Sequence, residues 1–153
     1  ASDVYKRQTL NSSSFKAGER IAEMGACINC HFYGEEKPKQ DALTWAPNLV
    51  LTKERLRPDW LVEWFINPQD VMPGTKMPAP YIPTEEPQNS IREVWGSDVA
   101  KISRDSTKLY KSLIDWMWGM EGRKDVSSIV KRHLNSQGYG FIIEEEDDWG
   151  DEW

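Results

Sequence analysis

Reactive side chains are scarce in this chain, and the scarcity excludes a good deal. Among 153 residues there are two cysteines and two histidines. A zinc centre needs four ligands, and Cys27, Cys30, His31 and the remote His133 are the only soft candidates, with no second cluster behind them. Long apolar runs are missing as well. The run "WLVEWFI" at 60–66 carries a charge and falls far short of the roughly 20 residues of a membrane helix. No G-x-G-x-x-G or G-x-x-x-x-G-K-[ST] motif is present, and with one histidine outside 27–31 no Ser-His-Asp set can be assembled. Basic charge is in deficit: 25 acids face 19 bases, for a net charge of −6. That argues against nucleic acid as a partner, because phosphates demand a basic surface.

The acidity is local. Residues 144–153, "EEEDDWGDEW", hold seven acids and no base, which leaves 18 acids against 19 bases in the remainder. A near-neutral body thus carries an acidic tail of the kind that stays solvated or serves as a docking arm. A hydrophobic content of 39% suits one domain with a modest core plus some additional chain. At the other end, "SDVYKRQ" (2–8) resembles the translation of a transposon end used in preparing sequencing libraries. Residues 1–8 are therefore treated as adapter-derived, and the native start, with any export signal or anchor, is expected to lie outside the sequence.

What is present is concentrated in five residues, "CINCH", from Cys27 to His31. A disulfide across C-x-x-C closes a tiny loop and stabilises little. A thioredoxin-like pair belongs at a helix start within a βαβ pattern, and no strand pattern precedes it. The remaining reading is covalent haem: two thiols along one porphyrin edge, with the next residue, His31, under the iron. That reading needs a sixth ligand and a wrap for the ring. Upstream, Ser12–Ser14 offer helix N-caps, and Phe15, Ile21 and Met24 fall broadly on one helical face. Gly18 lies on the same helix, where a bare backbone lets a second helix cross closely. Downstream, Pro58 suits a first helical turn, Leu61, Trp64 and Phe65 form an apolar stripe, and Asn67-Pro68 ends the helix. The loop "MPGTKMP" (72–78) then holds a methionine near each end, and a thioether on such a loop can face iron.

At this point the chain resembles a known family. "L-x-E-W-x-x-N-P-x-x-x-M-P-G-T-K-M" is similar to the segment of class I cytochromes c that delivers the axial methionine. The resemblance implies that Met77, rather than Met72, binds iron. "A-P-N-L" (46–49) resembles the family's Gly-Pro-Asn-Leu, which implies that the Pro47 carbonyl accepts a hydrogen bond from His31. Thr75 matches a threonine that contacts a haem propionate. Trp64 stands where the family often has tyrosine near the methionine sulfur, a departure that leaves an indole N–H as the available donor. "TKLYKSLIDWMWGM" (107–120) resembles the closing helix that crosses the first.

The resemblance covers about residues 14–120. It implies an all-α cytochrome c fold over 9–122, with helices near 14–26, 54–66 and 107–119 around one haem c attached through Cys27 and Cys30. A ring buried among Trp64, Phe65, Leu61 and Trp116 is part of that expectation. Residues 78–106 form a long polar insert, expected as a surface or docking loop. The extension 123–153 reads as a short helix at 125–134, a strand or packed strip at 138–143, and the acidic tail, whose Trp149 and Trp153 suggest anchors. Lys53, Arg55, Arg57 and Lys76 are candidates to steer an acidic partner. The function implied is single-electron transfer without catalysis, in a subunit or docked domain of a membrane-associated respiratory assembly. The alternative is a haem enzyme or gas sensor with a labile sixth position. Thioether attachment in the family takes place outside the cytoplasm, which implies the periplasm or an outward membrane face.

Overall fold

The computed structural model describes residues 12–141. The adapter-like leader, the acidic tail and residues 142–143 of the expected strand lie outside the described residues. The described residues hold eight α-helices: α1 Ser13–Met24, α2 Thr52–Arg55, α3 Pro58–Ile66, α4 Pro68–Val71, α5 Gln88–Val94, α6 Ser97–Ile102, α7 Ser106–Gly119 and α8 Ser127–Ser136. The described residues contain two isolated β-bridges and no strand. The protein is all-α, as the sequence implied. No helix among the described residues is long and apolar enough to cross a membrane.

The chain divides into two compact units. Within the described residues the first comprises 12–27 and 51–120. Its frame is α1 packed on α7. Ser12 caps α1 by accepting from the Phe15 N–H at 3.0 Å, and Asp105 caps α7 by accepting from Lys108 N–H at 3.2 Å. Ala17 and Ile21 of α1 and Leu109 and Leu113 of α7 are buried at 3% exposure or less. Burying a Leu or Ile side chain contributes about 1.5–3 kcal/mol, so this seam is a main source of cohesion. Gly18 is where the two helices meet. A Cβ there would lie 1.9 Å from the Ser112 carbonyl oxygen, so only glycine permits the approach. Helix α3 begins on Pro58 and turns Leu61 and Phe65 inward toward α7.

Residues 78–106, expected as a loop, hold α5 and α6. These short helices pack on each other, and α6 packs on α1 and α7. Ile91, Trp95 and Val99 are buried. Ser13 Oγ donates to Asp98 at 2.7 Å, and Arg20 donates to the Val94 carbonyl at 2.7 Å, which fastens the segment to α1.

The second unit comprises 28–50 and 121–141. Trp45 stands at its centre, edge-on to Phe32 and 4.7 Å from the His133 ring of α8. A tight turn at 33–36 is closed by an antiparallel bridge between Tyr33 and Glu36, with Gly34 at φ +61°. Gly34 meets Gly122 backbone to backbone; a Cβ on either would come within 3.2 Å of the other's Cα. Residues 138–141, part of the expected strand, are irregular. Tyr139 and Phe141 stack on each other, and Asn135 holds the Phe141 backbone at 2.7 and 2.8 Å.

Candidate functional site

Helix α1 ends at Gly25, and the next residue, Ala26, takes a left-handed conformation at φ 52°. That breaks the helix and starts the 3-10 turn Cys27–Asn29. The two cysteines are not joined in a disulfide, and both are half-buried. Cys30 Sγ lies 3.7 Å from the Gln40 side-chain oxygen.

Backbone bonds from two sides fix the segment that follows. Lys39 and Gln40 N–H groups donate to the Ile28 and Asn29 carbonyls at 3.0 Å each. Ala46 N–H donates to Cys30 O at 2.7 Å, and Leu49 N–H to Phe32 O at 3.0 Å. His31 forms a bridge with Ala46, which brings its Nδ1 to 2.7 Å from the Pro47 carbonyl oxygen. A carbonyl can only accept, so Nδ1 carries the proton and Nε2 is left as the ring's metal-binding nitrogen. Burial lowers the His31 pKa, and the bond to Pro47 raises it by less. Both the tautomer and the net shift favour a neutral imidazole, the form that ligates.

Asn48, next to Pro47, was not singled out by its sequence. It is 6% exposed and its amide joins three stretches of chain. Its oxygen accepts from Gly34 N–H at 3.0 Å and Val50 N–H at 3.2 Å. Its nitrogen donates to the Arg123 carbonyl at 3.0 Å, with the Gly34 and Lys124 carbonyls at 3.4 Å. The clamp ties residues 123–124 to the loop that holds His31.

The first unit presents the methionine loop. Met72 is 56% exposed, whereas Met77 is half-buried. Trp64 Nε1 donates to Met77 Sδ at 3.0 Å, so the indole N–H occupies the donor role that the tyrosine of the resembled family would fill. Thr75 Oγ1 accepts from Met77 N–H at 3.3 Å. Gln69, unmarked in the sequence, braces the turn by accepting from Gly74 N–H at 3.2 Å and donating to the Thr75 carbonyl. Gly74 takes φ +88°, which a side chain would strain. Of the four bases considered for steering, Lys53 donates to the Met120 carbonyl at 3.0 Å and Arg57 pairs with Asp59 at 3.0 Å.

Among the described residues no group of three or more His, Cys, Asp or Glu side chains is placed to hold a metal ion. A haem centre requires no such group. Two thiols three residues apart, an imidazole fixed through Nδ1 in the second unit and, within the first unit, a thioether held by a donor are each the kind of group that a covalently attached haem would use. No family model, curated protein or solved structure matches the chain.

Proposed function

We propose that this chain is a mono-haem c-type cytochrome that transfers single electrons, with Cys27 and Cys30 as the thioether attachment points and His31 and Met77 as axial ligands. The observation that carries the reading is the 2.7 Å contact between His31 Nδ1 and the Pro47 carbonyl. It joins two residues 16 apart that the resemblance had paired, and it sets the ring in its ligating tautomer. When bound, the haem supplies an iron that alternates between ferrous and ferric states.

The chain's own work is to hold and tune. Pro47 orients His31 and increases electron donation from the ring. Trp64 withdraws density from the Met77 sulfur, which favours the less charged ferrous state. Rigid backbone around 28–32 and the braced loop at 72–77 limit reorganisation during each transfer. The setting we propose is a subunit or docked domain of an extracytoplasmic respiratory assembly, with other redox proteins as partners.

Optical and near-infrared spectra of the oxidised protein beside Met77→Ala test the ligation. A weak methionine-to-ferric-iron band is expected in the parent and absent from the variant. Carbon monoxide binding by the reduced parent protein, with no such band, overturns the reading in favour of an open or labile sixth position.

A further inference from the structure

We infer that Trp60 and Trp64 form an electron route from the Met77 sulfur to the first turn of α3. The inference rests on the proposed His31/Met77 ligation. Trp64 touches the ligand directly, through the 3.0 Å bond from Nε1 to Met77 Sδ. One helical turn back, Trp60 stacks on Trp64 with ring centroids 5.2 Å apart and planes 14° from parallel. Trp60 is half-buried and its neighbour Asp59 is exposed, so the second indole reaches the surface.

Stacked indoles at positions i and i+4 stabilise a helix by a modest amount, and packing alone would explain the pair. Continuity is what packing does not explain. The other ring pairs of the first unit, Phe65 with Tyr110 and Tyr81 with Trp95, have no hydrogen bond to either methionine of the loop. Electronic coupling decays steeply across gaps and less so through hydrogen bonds and overlapping π-systems. Here one hydrogen bond and one stack replace the backbone path through a full helical turn. The indoles are not oxidised in this scheme. One electron leaves the ferrous centre, a one-electron acceptor at the surface gains it, and no bond or proton changes place.

The test is a photo-triggered transfer in the full chain. A ruthenium polypyridyl complex is attached to the imidazole introduced by Asp59→His, or in a second protein by Lys111→His on α7. His133 is replaced by Gln throughout so that the introduced ring alone is labelled. Losing the exposed Arg57–Asp59 pair costs little. From position 59, Trp60→Leu is expected to slow transfer several-fold and Trp60→Phe to retain most of the rate. From position 111, neither variant changes it. In proton NMR of the reduced, unlabelled protein, Trp60→Leu should shift the Trp64 ring resonances by removing the ring current of the stacked neighbour. An unchanged rate from position 59 in Trp60→Leu, with the methionine band intact, overturns the route and leaves the ligation standing. Absence of the band in the parent protein overturns both, and unmoved Trp64 ring resonances in Trp60→Leu overturn the stack on which the route depends.

Discussion

At the residue scale, the decisive contacts are between a side chain and a backbone atom or a sulfur. The His31–Pro47 contact was implied by the resemblance that the two motifs carry, whereas Trp64–Met77 was left open there, since an indole stands in place of a phenol, and the structure supplies the bond. Asn48 was not legible as a clamp. Its distant partners are the carbonyls of residues 123 and 124, and a backbone carbonyl is supplied by any residue type. Replacing Asn48 by Leu leaves buried donors and acceptors unpaired at once. A loss of about 2–4 kcal/mol is expected, read from denaturant midpoints. Asn48→Asp places a carboxyl oxygen where an N–H₂ now faces three carbonyl oxygens. The protonated acid can still donate and the carboxylate cannot, so folding raises the pKa of the acid above its unfolded value. The stability cost of Asn48→Asp is then smallest below the ordinary carboxylate range. It grows as pH rises through the folded pKa. Melting temperatures compared from mild acid to neutrality would show this, and a cost independent of pH would refute it.

Elements of three or four turns were readable, and those of two turns were not. Helices α1 and α7 follow apolar stripes with marked starts and lie within a few residues of the expected bounds, whereas the helix expected at 54–66 is split into α2 and α3 by Leu56 and Arg57, which are extended ahead of Pro58. Helices α5 and α6 have seven and six residues, and a stripe of one or two buried side chains has no measurable period. Their stability comes from packing on each other and of α6 on α1 and α7, which local sequence does not encode. Gly18 gives the sharpest test at this scale. Gly18→Ala forces α1 from the Ser112 backbone and should cost about 3 kcal/mol or more. Gly140→Ala, with nothing within 4 Å of the added carbon, should stay within about 0.5 kcal/mol. Equal midpoints for the two variants would show that the helices do not meet at Gly18.

At the scale of the whole molecule, charge is segregated along the chain rather than balanced. Removing residues 144–153 changes the net charge from −6 to +1, since 19 bases then face 18 acids. Long-range steering responds to that change and is screened by salt. At low ionic strength the full chain should be oxidised faster by cationic cobalt tris-phenanthroline than its charge-free rate. Deleting the tail should remove that advantage, and added salt should do the same; equal ionic-strength slopes for both chains would count against a steering tail. The order of assembly follows from the seam between α1 and α7. The first helix lacks its partners until α6 and then α7, residues 97–119, have appeared. A chain emerging N-terminus first from a ribosome or an export channel therefore carries Cys27–His31 in unfolded form for most of its length. On the proposed function, attachment of the haem would meet an open segment, and the late arrival of α6 and α7 would set how long that opportunity lasts.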